Sequence, residues 1–307
     1  MVEIDTAGAQ LRPELTPAPG SVRFVRGDAA AEHVAAVWER YRRTRPCETS
    51  RPQNWLDFHA VIRGQERHGA SASWFLARDD GYAIYRMREQ WNDGRPAHTL
   101  ELGELVALTP AAHLALWQVL LNVDLVGTIA TRQLPVDDPL PYLLTNPRIV
   151  RTTALNDGVW VNVRDVPTCF AARRYEVADR LVVEAGGVRY AIDGGPDGAE
   201  VRRVRTRPDL VAEPDALGPL LLGGVSPRAL ADGRRLAARN ADALRRAEHF
   251  FTWPVAPLSQ TFYRACSCSG RRRAAPLRLP CSLPPLRFGA SPRVGSADCA
   301  SMGTCRS

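Results

Sequence analysis

Lysine is missing: all 40 basic residues of this 307-residue chain are arginines. Folding does not demand that choice, because a surface charge serves as well on either side chain. The bias is that of a GC-rich genome. No apolar run approaches the roughly 20 residues that a membrane-spanning helix needs, and no basic-then-apolar leader opens the sequence. The expectation is a cytoplasmic protein with no membrane partner. No G-x-G-x-x-G fingerprint occurs, and the one R/Q-x-x-G-x-G/A match, "RDDGYA" at 78–83, falls on a turn signal between two strand patterns rather than on a loop that opens a helix. Such loops aim backbone N–H groups and a helix N-terminus at a diphosphate, so no nucleotide-like cofactor can be assigned to particular residues.

Histidine and cysteine offer little chemistry. His33, His59, His68, His98, His113 and His249 form no H-x-x-x-H pair. Cys47 and Cys169 stand alone, as in a reducing compartment. Cys266, Cys268, Cys281, Cys299 and Cys305 follow a C-x-C-x12-C-x17-C-x5-C spacing with no histidine among them. Structural zinc sites bring ligands in close pairs from tight turns, so no metal is expected.

The net charge of +7 resembles a nucleic-acid footprint, but it is local. From Arg264 onward there are eight arginines against Asp298 alone, which accounts for the whole excess. The body up to Tyr263 is neutral and has no electrostatic reason to seek nucleic acid. That final stretch is rich in Arg, Pro, Ser, Gly and Cys and has no helical or strand period. It reads as a disordered tail over 264–307, of the kind produced by a frameshift or read-through.

The body alternates between helical and strand patterns. Val34, Val37, Trp38 and Tyr41 fall at i, i+3, i+4 and i+7, one face of a helix that Asp28 can cap and Pro46 stops. A second helix is expected over 50–64. "SWFLA", "YAIYRM" and "TLELGELVAL" read as strands separated by turns. Thr109-Pro110 opens a helix with Leu114, Trp117, Leu120 and Leu121 on its apolar side, and "DLVGTIAT" is a buried strand. A proline-rich crossover, "PVDDPLPYLLTNP", leads to a second unit. There "DGVWVNV", "RLVVEA", "VRYAID" and "AEVRRVR" read as strands. "VPTCFAARRY", "DALGPLLLGG", "SPRALADG" and "NADALRRAEHFF" read as helical, with Gly223 and Gly224 as a helix stop before a cap at Ser226. The fold class is α+β, in two successive units.

Five segments resemble the enhanced-intracellular-survival (Eis) N-acetyltransferases in order and rough spacing: "GYAIYR", "LELGELVALTPAAHLALWQVLLNVDLV", "DDPLPYLLTNPRIVRTT", "DGVWVNVRDVPTCFAARRY" and "LGPLLLGG". The resemblance covers about residues 1–263. It implies a remnant last strand of a first GNAT domain and linker over 1–19, a second GNAT-like domain over 20–150 and a sterol-carrier-protein (SCP2)-like domain over 151–263. It implies acetyl-CoA as the acyl donor and amines as acceptors: aminoglycosides, polyamines or lysine side chains. Members assemble as hexamers. The family's coenzyme site and its acid tyrosine belong to the first domain, so this chain is expected to lack that site and to be an inactive or incomplete fragment. The family's base is a terminal carboxylate on an aromatic-ended tail, matched here by "SQTFY" at Phe262 and Tyr263. Because Arg264 follows, that carboxylate is an amide, which cannot accept a proton. Trp55 lies near the family's pocket-lining tryptophan. The alternative is a non-enzymatic module that binds a lipid or a partner through its sterol-carrier-like half.

Overall fold

The computed structural model describes residues 1–15, 17, 22–25, 28–51 and 69–260. The expected second helix, Trp55, Phe262, Tyr263 and the 264–307 tail lie outside them.

A seven-stranded sheet organises the first half. Its strands are β1 (Val2–Asp5), β2 (Arg23–Val25), β3 (Trp74–Arg78), β4 (Gly81–Arg88), β7 (His98–Ala107), β8 (Val126–Thr131) and β9 (Val150–Thr152), in the order β2-β3-β4-β7-β8-β1-β9. A two-residue ladder, β5 (Trp91–Asn92) with β6 (Arg95–Pro96), tips the β4–β7 hairpin. Neighbours are antiparallel except β7 and β8, which run parallel from His98 to Leu102. Val2–Asp5 lies between β8 and β9, with Val2 opposite both Thr131 and Thr152. Ile4 is fully buried there.

Helices cover both faces of this sheet. In α1 (Asp28–Tyr41) the four residues of the expected face, Val34, Val37, Trp38 and Tyr41, are all buried. They pack on Tyr82 and Val106. On the opposite face α2 (Pro110–Leu121) packs Leu116, Trp117 and Leu120 onto Ala83, Leu100 and Leu102. Tyr82 and Ala83 are successive residues, so they point to opposite sides of the strand and divide the two cores. A short helix α3 (Leu140–Leu143) belongs to the crossover.

The second half has five strands, β10 (Asp179–Ala185), β11 (Val188–Gly195), β12 (Gly198–Arg203), β13 (Leu210–Ala212) and β14 (Leu236–Ala238), in the order β12-β11-β10-β13-β14. Four helices accompany it: α4 (Val166–Ala171), α5 (Leu217–Leu222), α6 (Pro227–Asp232) and α7 (Ala241–Phe251). Helix α5 ends at Gly223, whose φ of 71° is the left-handed stop expected of it. Ser226 accepts from the Ala229 N–H to start α6. The core between sheet and helices is aromatic. Tyr175 stacks on Phe250 with ring centroids 4.2 Å apart, and Phe251 meets Phe170 edge to face. The Tyr175 hydroxyl donates to the Phe170 carbonyl at 2.9 Å, so its one polar group is satisfied inside the core.

Two expectations need correction. "DGVWVNV" joins no ladder: Trp160 is 88% exposed and residues 153–163 run without regular structure. The alternation survives only in that Val163 packs on the second core, with no neighbouring strand to pair the backbone. Conversely β13 and β14, three residues each, escaped the sequence pattern because they are too short to show a period.

Arg173 ties the second half together. Its guanidinium donates to the carbonyls of Leu220 at 2.6 Å, Leu221 at 3.0 Å and Phe251 at 3.2 Å, and lies over the Tyr175 ring. It therefore closes the carbonyl ends of α5 and α7 together. Replacing Arg173 by Met strips these carbonyls of their shared donor while keeping much of the aliphatic stem. The expected loss is about 2–4 kcal/mol in urea unfolding. A change below about 0.5 kcal/mol would show that the tie is dispensable.

Candidate functional site

A β-bulge sets up the polar site. Tyr85 pairs with Leu102 but Ile84 pairs with Glu104, so Gly103 is an extra residue in β7. With strict alternation Glu104 would follow Leu102 into the core beneath α2. The extra residue instead turns Glu104 and Val106 toward α1, while Leu105 returns to the α2 side.

Glu104 meets Arg51 there. Arg51 Nη2 donates to Glu104 Oε1 at 2.5 Å, and Arg51 Nη1 reaches both Glu104 Oε2 and the Tyr82 hydroxyl at 3.3 Å. Both charged side chains are nearly enclosed, at 6% and 10% exposure. The guanidinium carbon sits 3.2 Å from the centre of the Trp38 ring, and Trp38 Nε1 donates to the Thr49 carbonyl, which fixes the ring beside the 45–51 loop. Burial drives the Tyr82 hydroxyl well above its ordinary pKa, and the Glu104 carboxylate adds to the rise. Burial also lifts Tyr41 to about 12. The pair is thus a charge-neutral cluster in an aromatic box, which makes breaking it costly.

The C-terminal segment closes over the same place. After α7 it leaves the second half and crosses the first. Ala256 N–H donates to Asp137 Oδ2 at 2.8 Å, and Arg45 Nη1 donates to both Asp137 Oδ1 and the Ala256 carbonyl. Leu258 N–H donates to the Pro46 carbonyl. Gln260 N–H then faces both oxygens of Glu48 at 3.3 Å. Burial pushes the half-buried Glu48 carboxyl up to about 7, although the Gln260 N–H and Arg51 work in the other direction.

Gln260 itself is 2% exposed. Its side-chain amide donates to the Leu105 carbonyl at 3.3 Å, and its own carbonyl accepts from Gln133 Nε2 at 3.1 Å. Leu105 lies in β7 beyond the last pair with β8, and Gln133 follows the end of β8. Gln260 therefore bridges the place where the two parallel strands stop pairing.

At the neighbouring helix the first backbone donors are already accounted for. At the N-terminus of α2, Pro110 has no N–H to offer, and the Ala112 N–H is taken by Thr109 Oγ1 at 3.1 Å. Thr109 Oγ1 in turn donates to the Asp80 carboxylate at 2.6 Å, and the same carboxylate accepts from Arg78 Nε at 2.7 Å. In the second half, Phe170, Tyr175, Phe250 and Phe251 are each at most 1% exposed and occupy the interior. No group of three or more metal-ligating side chains occurs among the described residues, and none of the described helices is long and apolar enough to cross a membrane.

Of the residues expected at a site, Trp55, Phe262 and Tyr263 fall outside the described residues. Gln260, the last described residue, is two positions before Phe262. The residues that do converge, Glu48, Arg51, Glu104 and Gln260, were not singled out from the sequence. One usable signal was present: a lone glycine in the alternating run "LELGELV" marks a bulge, and a glutamate at an inward position of a strand calls for a partner.

Residues 47–164 match the family described as acetyltransferase (GNAT) domain, and residues 166–260 that described as sterol carrier protein domain. The N-acetyltransferase Eis of Mycobacterium tuberculosis is 34% identical over 248 residues, covering 79% of this chain and 60% of that protein. An uncharacterized N-acetyltransferase of Streptomyces avermitilis is 32% identical over 247 residues, covering 74% and 59%. The crystal structure of Eis1 from Mycobacterium abscessus matches with a TM-score of 0.74 at 27% identity, over 85% of this chain and 67% of that one. A GCN5-related N-acetyltransferase from Anabaena variabilis shares the fold, with a TM-score of 0.65 at 17% identity. The chain spans about 60% of the length of the curated relatives it matches.

Removing one member of the enclosed pair leaves a buried charge behind. Arg51→Met and Glu104→Gln are each expected to cost about 3–5 kcal/mol. The double substitution should cost less than the two together, by an interaction energy of about 1–3 kcal/mol. Urea unfolding of the four proteins measures the cycle, and strict additivity would show that the two side chains act independently.

Proposed function

Since the chain belongs by similarity to the Eis-like GNAT N-acetyltransferases, we propose that it serves an acetyl-CoA-dependent amine N-acetylation. The acetyl thioester is held by protein other than the residues described here. The observation that carries this reading is the path of the C-terminal segment. It leaves the sterol-carrier-like half, crosses the GNAT-like half and is tied along its length as far as Gln260. In the sequence, Phe262 and Tyr263 follow this tied stretch.

An amine that takes an acetyl group must release a proton, and a carboxylate in reach of the nitrogen is a suitable acceptor. A chain ending at Tyr263 presents such a carboxylate. Here Arg264 follows, so the same carbon belongs to a peptide bond and takes no proton. The polypeptide as it stands is therefore inactive on its own. Aminoglycosides, polyamines and lysine side chains are the acceptors to try, and assembly into a hexamer is the expected context. The filled aromatic core of the sterol-carrier-like half weighs against the alternative of a lipid-binding module.

Two measurements test this. Calorimetric titration of the chain with acetyl-CoA should give no saturable heat up to millimolar concentration, where binding amounts to about −4 kcal/mol. Clear saturation well below that would mean that the chain holds the coenzyme itself. In the second, the N-terminal domain of a relative is placed before Val2, with and without a stop after Tyr263, and each version is assayed with acetyl-CoA and a polyamine. Both changes together should give activity, and either alone should give little, because each leaves one essential group absent. Equal activity with and without the tail would refute the carboxylate role.

A further inference from the structure

Six Asp-Gly steps occur in the sequence, at Asp80, Asp93, Asp157, Asp193, Asp197 and Asp232. Glycine, with no side chain, crowds its own nitrogen least, so at such a step that nitrogen can turn on the aspartyl side chain before it. The attack requires the peptide to rotate out of its ordinary setting, and hydrogen-bonded backbone resists that. Five of the steps are held. Asp80 accepts from Arg78 and Thr109, and Gly81 lies in β4 against the Val106 carbonyl. Asp193 and Gly194 are paired on both sides within β11. The Gly233 N–H donates to the Ala229 carbonyl at 2.9 Å. Asp93 and Gly94 form the tip of the β5–β6 ladder, and Gly198 pairs with Gly195 across the turn from β11 to β12.

Asp157-Gly158 has no such restraint. Residues 155–160 are exposed and run without regular structure. The Gly158 N–H has no hydrogen-bond partner among the described residues. A Cβ placed on Gly158 would meet nothing within 4 Å. The Asp157 carboxylate accepts a single bond, from Nε1 of the exposed Trp160. The stretch is fixed only at its ends. Upstream, the Thr153 N–H donates to the Met1 carbonyl at 3.0 Å. Downstream, the Val161 carbonyl is seated so closely on Gly218 that a Cβ there would come within 2.5 Å of it.

We propose that Asp157 is a modification site, at which the chain converts spontaneously to isoaspartate in the link between its two halves. The Gly158 nitrogen attacks Cγ of the protonated Asp157 carboxyl. A C–N bond forms, the nitrogen gives up its proton, and the hydroxyl oxygen leaves as water, closing a succinimide ring. Water then opens the ring. Opening at the main-chain carbonyl breaks the bond between that carbon and the Gly158 nitrogen. The chain then runs through Cγ, and the former carbonyl carbon becomes a free carboxylate. The product has the starting mass, one extra backbone methylene and a carboxylate facing solvent. The chemistry that recognises it is methyl transfer from S-adenosylmethionine onto that carboxylate by an isoaspartyl carboxyl methyltransferase. The anchors at Thr153 and Val161 outlast the change, because the free stretch between them takes up the added methylene.

Warming the full chain for several days at pH 6, followed by tryptic mapping, reads this directly. Cleavage at Arg151 and Arg164 releases residues 152–164. The isoaspartyl form of that peptide should appear as a second species of equal mass. With the methyltransferase, it should accept a methyl group from S-adenosylmethionine. In the folded chain it should accumulate about tenfold faster than at any of the other five steps, which local backbone opening limits. In chain unfolded by guanidinium chloride the six rates should converge. Gly158→Val, which the open space accommodates, should lower the yield at Asp157 about tenfold and leave the urea unfolding midpoint unchanged. A yield at Asp157 no greater than at Asp93 or Asp197 overturns the proposal, as does an undiminished yield in Gly158→Val. So does an unmodified 152–164 peptide from the folded chain beside a modified one from the unfolded chain.

Discussion

The enclosed Arg51–Glu104 pair is the constraint on which the GNAT-like half depends. Two opposite charges held almost out of water are tolerable only while both stay in place, stacked against Trp38 and bonded to Tyr82. That requirement fixes the 45–51 loop against β7 and forces the bulge at Gly103, which alone brings Glu104 to the α1 face. The same loop supplies the anchors for the C-terminal segment, Arg45, Pro46 and Glu48. The pair and the segment are consequently one assembly, in which a disturbance of either is felt by the other.

The charge distribution in this assembly is economical. Arg51 is consumed by Glu104, and Arg45 by Asp137 and the Ala256 carbonyl. Glu48 accepts from a backbone N–H, that of Gln260, and burial raises its pKa against the pull of that N–H, Arg51 and Arg45. A carboxyl raised toward neutrality is thus a consequence of its burial beside arginines already engaged elsewhere.

Much of the scaffold was legible in the sequence because its signals are local. The i, i+3, i+4, i+7 face of α1, the Thr109-Pro110 start of α2 and the Gly223 stop of α5 each depend on residues within one or two turns. The GNAT-like and sterol-carrier-like identity was legible through whole segments in order. The site was not, because its parts meet across the fold. Gln260 reaches Leu105 only through the packing of one half on the other, and no period or spacing announces that. "DGVWVNV" failed for the opposite reason: its alternation is real, but a strand needs a neighbour as well as a pattern. Where Trp55, Phe262 and Tyr263 are concerned, the expectation still rests on resemblance.

The position of β1 bears on how the protein is made. Val2 must wait for Thr131 and for Thr152 before its ladder exists. At ordinary rates of synthesis that delay is on the order of ten seconds. Until then Ile4, destined for full burial, belongs to a nascent strand without partners. The seven-stranded sheet is therefore closed from its interior and late, by contacts distant in sequence, and such topologies form slowly. A ribosome-bound chain halted before residue 126 would display an unzipped sheet, with β4 and β7 paired and their parallel neighbour still to come. That makes this half the natural client for a chaperone; in the sterol-carrier-like half β10, β11 and β12 pair as consecutive hairpins, and β13 then joins β10 in parallel from further along the chain.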